Sequence, residues 1–396
     1  MNPPSIRSRT FFADDPVKTP EVITMTIRLG FHAIAATLAL ATVALADPPG
    51  LKTLEIGANA PDFKLPGVDG KTYTLASFHD AKILVLLFTC NHCPTAQAYE
   101  ARVARFHSDY KDRGVALVAI SPNDPRGVRL DELGYTDLTD SFDDMKVRAR
   151  DHKFAYPYLY DGETQAVARA YGVLATPHVF VFDAGRKLRY VGRWDDAESR
   201  RPVKSHDTTN AVDALLAGKP VPVETTRAFG CSTKWADKHK DAAASLAKWD
   251  AEPVELNAID DAGIARLAKN DTPDLLLVNL WATWCGPCVQ ELPELVTINR
   301  MYRGRRFKLV TISMDEPDKT ADALKLLKEK HVAATNYLLH TDDRDHFAVA
   351  LDKEWPGPLP YTILVGPGGK ILYRKVGAIE PLEVKRAIVD QLGRTY

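Results

Sequence analysis

Apolar residues along the chain fall into two patterns, and the pair of patterns occurs twice. Ile83-Leu84-Val85-Leu86-Leu87-Phe88 is an unbroken apolar run, as expected of a strand covered on both faces. Shortly after it, Tyr99, Val103, Phe106 and Tyr110 recur at spacings of 4, 3 and 4, which predicts a helix with one apolar face that stops at Gly114. Further on, the pattern predicts a strand over 115–120, helices around 144–152 and 165–171, a hairpin of 178–183 with 187–192, and a helix near 209–216. The order then repeats. A buried strand is predicted over 275–281 and a helix is marked by Leu292, Leu295, Ile298 and Tyr302. A strand over 308–314, a helix over 321–330, a hairpin of 361–365 with 370–376 and a last helix over 381–392 complete the second round. The reading is two α/β units, 51–235 and 253–396, with the charged, Ala-rich stretch 236–252 between them as a linker or short connecting helix.

The first fifty residues carry another signal. In 25–46, Arg28 supplies a short positive region, an apolar run follows, and Ala44-Leu45-Ala46 makes a small-residue cleavage site before Asp47. About 20 apolar residues can also span a bilayer as an uncleaved anchor. This run is Ala-rich, short and followed at once by Asp47-Pro48-Pro49, which favours cleavage after Ala46. Residues 1–46 are thus read as an extension plus signal peptide, and the mature chain as periplasmic or secreted, with no membrane embedding. No Cys follows the cleavage site, so a lipid anchor is not expected there. Residues 1–24 are polar and Pro-containing, which makes Met25 an alternative start.

Composition narrows the function by exclusion. The 396 residues include 51 basic and 52 acidic side chains, a net charge of −1 that excludes a strongly basic nucleic-acid binder. No phosphate-cradling Gly loop or Ser/His/Asp constellation stands out. Five cysteines are too few for a disulfide-stapled scaffold, but four of them form two Cys-x-x-Cys pairs, Cys90/Cys93 and Cys285/Cys288. Each pair follows a predicted buried strand and precedes a predicted helix. A first Cys at the helix N-terminus is stabilised as thiolate by unpaired N–H groups and the helix dipole, and a second Cys one turn on can resolve a mixed disulfide. Two other readings compete: half a zinc site, or a structural bridge. Zinc sites favour pairs close in sequence, and a bridge across so short a loop constrains little.

Trp281-Ala282-Thr283-Trp284-Cys285-Gly286-Pro287-Cys288 resembles the active site of TlpA-like exported thioredoxins, and the resemblance covers roughly 253–396. Asn279 stands where thioredoxin carries a buried Asp. Glu291 sits where some of these reductases keep an acid near the second thiol, Pro293 matches the helix-kinking proline, and Leu359-Pro360 resembles the cis-proline loop. The first unit is similar to the redoxin (AhpC/TSA-like) branch of the same superfamily, on Gly57-Ala58-Asn59-Ala60-Pro61-Asp62-Phe63 and on Thr176-Pro177 as its cis-proline loop. Peroxiredoxins need P-x-x-x-T-x-x-C. Before Cys93, Leu86 and Cys90 stand at the Pro and Thr places, which disfavours peroxidase activity. Thr89-Cys90-Asn91-His92-Cys93-Pro94 and Gly230-Cys231-Ser232-Thr233-Lys234-Trp235 match a bacterial group within the family that brings no function to transfer.

The resemblance implies two tandem thioredoxin-like folds, each a central mixed β-sheet flanked by helices. It further implies a thiol–disulfide oxidoreductase in which Cys285 attacks and Cys288 resolves, with Cys90 and Cys93 doing the same in the first unit. Glu291, Pro177 and Pro360 complete the expected site. Protein disulfides or dithiols are the expected substrates, with a further redox partner of unspecified identity. No dissociable cofactor and no metal is implied, because the cysteines carry the electrons. The competing reading is a copper-binding or redox-sensing module using Cys90, Cys93 and a nearby His, for which His178 is one candidate. His92, between the first two thiols, is expected either to favour a Cys90 thiolate or to be an exposed bystander. Cys231 is a third redox thiol, a buried inert residue or an intermolecular link. The charged stretch 193–201 reads as a solvated loop.

Overall fold

A computed structural model describes residues 50–197, 202–341, 347 and 350–396. The extension, the signal-peptide motif and its cleavage site lie outside them. A small hairpin, β1 (Lys64–Pro66) and β2 (Thr72–Thr74), precedes β3 (Ile83–Phe88), which is buried at every position. Then follow α1 (Pro94–Tyr110), β4 (Val115–Ser121), α2 (Phe142–Asp151), β5 (Tyr158–Tyr160), α3 (Ala166–Tyr171) and the two-residue β6 (Ala175–Thr176). The hairpin β7 (His178–Phe182) and β8 (Leu188–Gly192), α4 (Asp207–Leu216) and the short β9 (Cys231–Ser232) complete this part. The sheet order is β5-β4-β3-β7-β8, parallel on the β4 side of β3 and antiparallel on the β7 side.

Alternation along β3 explains its unbroken apolar run. Val85 and Leu87 join Tyr99, Val103 and Phe106 of α1 on one face, while Leu84, Leu86 and Phe88 join Tyr171 and Trp235 on the other. The four aromatic and aliphatic positions of the α1 stripe are all buried.

The chain continues through α5 (His239–Asp250), so the stretch read as a linker is largely helical. Next come β10 (Asn257–Ile259), α6 (Asp261–Lys269), β11 (Leu275–Trp281), α7 (Gly286–Tyr302), β12 (Phe307–Ser313), α8 (Thr320–Glu329) and β13 (Thr335–Leu339). The hairpin β14 (Tyr361–Val365) and β15 (Ile371–Val376) and a last helix, Pro381–Leu392, close it. Its sheet order, β10-β13-β12-β11-β14-β15, repeats the first with one extra edge strand, β10. The protein therefore consists of two tandem thioredoxin-like folds, each a mixed sheet flanked by helices.

The two folds pack through the segment 128–141. Val128 and Leu133 enter the apolar core of the second sheet. The Tyr302 hydroxyl donates to the Thr136 carbonyl (2.7 Å) and Arg305 donates to the Gly134 carbonyl (3.0 Å). Asp137, buried, pairs with Arg386 and Arg394 from the last helix and its end. The stretch read as a solvated loop is also anchored: Trp194 is buried, and Asp195 pairs with Arg102.

Candidate functional site

Both Cys-x-x-Cys pairs sit where the central strand hands over to its helix, and in each fold a cis X-Pro peptide is present, Thr176-Pro177 and Leu359-Pro360. In the second fold, Cys285 is the N-cap of α7 and the Val289 amide donates back to its carbonyl (3.2 Å). Cys285 and Cys288 are joined in a disulfide. The loop before them is tied down by Asp315, which accepts from the Thr283 amide (3.0 Å) and hydroxyl (2.6 Å). Trp284, Gly286 and Pro287 are exposed, so the bridge lies under an open surface. Glu291, one turn beyond Cys288, is buried. Its carboxylate accepts from Asn279 Nδ2 (2.8 Å) and the Ile379 amide (2.9 Å). Burial pushes this carboxyl above its ordinary range, and the two hydrogen bonds only partly offset that.

The first site is built differently. Helix α1 starts at Pro94, so Cys93, the second thiol, is the N-cap and Asn91-His92 lie outside the helix. Their amides donate to one oxygen of Asp140 (2.9 and 3.1 Å). The other Asp140 oxygen meets His92 Nδ1 (2.5 Å) and Asn123 Nδ2 (2.7 Å). All of residues 90–97 are buried, so His92 is neither exposed nor a bystander. Burial disfavours its charge, but the Asp140 carboxylate outweighs burial and raises the imidazole. Asp140 is correspondingly lowered despite burial, held by the His92 charge and by three further donors. The two form a buried ion pair.

Three thiols gather here. Cys90 Sγ lies 3.1 Å from the Thr176 hydroxyl, and Cys93 Sγ lies 3.1 Å from the Thr176 carbonyl. Cys231, partly exposed, packs against both and its amide donates to Cys93 Sγ (3.3 Å). Burial pushes Cys93 up, but hydrogen bonds from the Cys231 and Cys90 thiols, with the His92 charge, hold it well below an ordinary thiol. Cys90 is pushed well above by burial and by its bond to Cys93; Cys231 is raised by its bond to Cys93 and by burial. Of the three thiols, Cys93 is the one whose ionisation its surroundings favour.

His178 does not join these thiols. It is buried on β7 against the Phe180 ring (4.6 Å), accepts from the Leu174 amide, and burial pushes it down to about 3. Asp140 and Asp315, which orient the two loops, are not among the residues the sequence motifs single out. A signal for the first is the Thr-Asp-x-x-Asp-x-x-Asp-Asp cluster, 136–144, which runs into the first turn of α2.

Two such folds, each carrying a dithiol pair at the strand–helix junction and a cis-proline, define a member of the thioredoxin superfamily. Within it, the AhpC/TSA family pattern matches residues 56–191 and again 233–374, and the chain belongs to that family. Among curated proteins it is similar to thiol-disulfide oxidoreductase ResA of Bacillus cereus, 26% identical over 109 residues, or 26% of this chain and 54% of that protein. ResA of Geobacillus thermodenitrificans is 26% identical over 113 residues, or 28% and 59%. The chain spans about half the length of the curated relatives it matches. Among solved structures, an uncharacterized conserved protein from Geobacillus kaustophilus is 37% identical, with 46% of this chain and 94% of that one covered and a TM-score of 0.42. A hypothetical protein from Sinorhizobium meliloti is 34% identical, with 47% and 97% covered and the same TM-score of 0.42.

Proposed function

We propose that the protein is an exported thiol–disulfide oxidoreductase that exchanges disulfides with protein substrates, using Cys285/Cys288 in the unit 253–396 and Cys90/Cys93 in the unit 51–235. The observation that carries this reading is the second pair: two cysteines bridged at a helix N-terminus, under an open surface. In the reductive direction the Cys285 thiolate attacks a substrate disulfide, forms a mixed disulfide and releases one substrate thiolate. The Cys288 thiolate then attacks Cys285 Sγ, releases the second substrate thiolate and closes Cys285–Cys288. Two electrons pass to the substrate, and a dithiol partner must return them. The substrate chain lies extended along the edge next to Pro360, by main-chain pairing. Glu291, with its raised pKa, exchanges a proton with Cys288. Export rests on the motif in 25–46.

The test is insulin disulfide reduction by the full chain with dithiothreitol as donor. Turnover above the dithiothreitol blank is expected; none would remove the assignment. Expression in a Gram-negative host with N-terminal sequencing checks export, with Asp47 expected as the first residue.

One observation favours the copper-binding alternative for the first unit: Cys90, His92 and Asp140 place ligand atoms within 4.8 Å of one another. His92 Nδ1 is already held by Asp140, which leaves the thiols and the buried, unpartnered His92 Nε2 as donors. Stoichiometric Cu(I) binding that is lost in Cys90→Ser, without insulin reduction by the chain, is the result that would favour it.

A further inference from the structure

The edge beside the cis-proline of the first fold is already occupied by the chain itself. β9 pairs antiparallel with β6, with Cys231 opposite Thr176 and Ser232 opposite Ala175. In the second fold, among the described residues, no strand pairs with 358–360. Gly230 makes the approach possible: its φ is +143°, and a Cβ there would stand 2.2 Å from the Thr176 carbonyl oxygen. Beyond Cys231 the segment is pinned. The Thr233 hydroxyl donates to the Val173 carbonyl (3.3 Å), Lys234 pairs with Glu132 (2.6 Å), and Trp235 is fully buried under the Arg169 guanidinium. The effect is to hold one partly exposed thiol against a fully buried pair. Cys90 and Cys93 are 3% and 0% exposed, much as Cys285 and Cys288 are 6% and 0%, but here the neighbouring Asn91, His92 and Pro94 are buried as well, so the loop offers a folded protein no exposed surface beside the pair.

We propose that Cys231 is the third redox thiol of the first unit, a tethered internal substrate through which the buried Cys90/Cys93 pair exchanges with external protein dithiols. The inference rests on the thiol–disulfide reading above. From the oxidised pair, the Cys231 sulfur attacks Cys93 Sγ. The Cys93–Cys231 bond forms, the Cys90–Cys93 bond breaks, and the proton leaving Cys231 ends on Cys90. This isomerisation needs no oxidant. A protein dithiol then attacks Cys231 Sγ and releases Cys93 as thiolate, and the partner's second thiol displaces Cys231. The partner leaves as a disulfide and all three cysteines are reduced. Cys93 is central because its sulfur is the one the Cys231 amide meets, at 3.3 Å, and it shares Thr176 with Cys90.

The experiment equilibrates the full chain at a series of glutathione ratios, quenches with acid, alkylates free thiols and maps tryptic peptides by mass spectrometry. Cys90 and Cys93 share the peptide 83–102, and Cys231 lies in 228–234. Linked 83–102/228–234 is expected in the wild-type chain, as the sole first-unit disulfide in Cys90→Ser, and not in Cys93→Ser. In Cys231→Ser, reduction of the Cys90–Cys93 bond by reduced thioredoxin, used as a protein dithiol, should slow about tenfold because a buried disulfide is attacked only through local opening. A Cys90–Cys93 bond that forms while Cys231 stays fully alkylated at every ratio would overturn the proposal, as would a Cys90–Cys231 link in Cys93→Ser. Failure of the underlying reading looks different: neither Cys90/Cys93 nor Cys285/Cys288 would cycle with glutathione.

Discussion

The two Cys-x-x-Cys junctions share strand, loop and helix, yet they favour opposite cysteines. In the second fold the helix begins immediately after the first thiol, so Cys285 sits at the N-cap. In the first it begins at Pro94, three residues later in the motif, and the N-cap is Cys93. The partial positive charge of a helix N-terminus acts within its first turn, so helix start, more than motif spacing, decides which sulfur is the better anion. Surroundings reinforce the difference. The first loop is buried over 90–97, with Asp140 and His92 beneath it and β9 across its edge, whereas Trp284, Gly286 and Pro287 leave the second open. The same segment that carries Asp140 also forms the contact with the second fold through Leu133, Thr136 and Asp137.

Removing thiols one fold at a time is the strongest way to break this comparison. Cys285→Ser should lower insulin reduction by the full chain about a hundredfold or more, since it deletes the sulfur proposed to attack, in the pair whose loop is exposed. Cys90→Ser should leave the same assay within about twofold, because the whole loop 90–97 is buried and gives insulin no surface to dock on beside the pair. Equal losses in the two variants would show that the closed site is open in solution.

Next in size is Asp140→Asn. Removing one partner of a buried ion pair costs about 3–5 kcal/mol. His92 is raised in the fold, so its share of stability is present below its ordinary value of 6.5 and is lost as pH rises through its folded value. Asp140 is lowered, so its share is present above its ordinary 3.8 and is lost as pH falls through its folded value. The gap between wild type and variant in urea unfolding should therefore be widest from about pH 4 to 6 and narrow towards pH 9. A gap independent of pH would assign the cost to lost hydrogen bonds alone. The variant should also raise the Cys93 pKa, since it frees His92 to lose its charge.

Gly230→Ala is expected to do less to stability and more to access. The new Cβ, 2.2 Å from the Thr176 oxygen, must push β9 off the proline loop. Loss of about 1–3 kcal/mol is expected from strain at such a backbone conformation. Alkylation of Cys93 by iodoacetamide, followed by mass spectrometry, should accelerate while Cys288 in the reduced second site is unaffected. An unchanged Cys93 rate would mean that β9 does not close the site.

Much of this comparison was legible in the sequence, for identifiable reasons. The strands 83–88, 275–281 and 361–365 lie where the apolar runs predict them, because a strand covered on both faces is almost wholly apolar, with Asn279 and Thr362 as the polar exceptions. β5, with three residues, and β13, Thr-Asn-Tyr-Leu-Leu, were not read as strands: their signal is mainly parallel pairing with β4 and β12, which local periodicity does not encode. At the sites, the cysteine pairs and the proline loops carry their own motifs. Asp140 stands about fifty residues from the thiols it serves, and only topology brings it there. Cys231 was visible as an odd thiol, but its place opposite Thr176 follows from the β6–β9 pairing.

The smallest effect separates a proton carrier from a structural acid at the open site. Glu291 is raised by burial, so the wild-type rate of substrate reduction should inflect above the ordinary carboxyl value of 4.5. Glu291→Gln should remove that inflection and slow reduction about tenfold, the low end for losing a positioned acid–base group. The substitution is isosteric. A flipped Asn279 amide can accept from the Nε2 of the introduced glutamine and from the Thr362 hydroxyl, at the cost of placing its Nδ2 where Oδ1 is now buried without a partner. The glutamine oxygen can still accept from the Ile379 amide. The sign of the stability change provides a second check. A carboxyl raised in the folded state loses stability as pH rises through its folded value, so the neutral amide should be equal to or slightly more stable than wild type at pH 7. Kinetics with the same inflection in both proteins would make Glu291 a structural residue and leave proton exchange at Cys288 to solvent. An inflection lost together with a large fall in stability would show that the Asn279 flip does not occur.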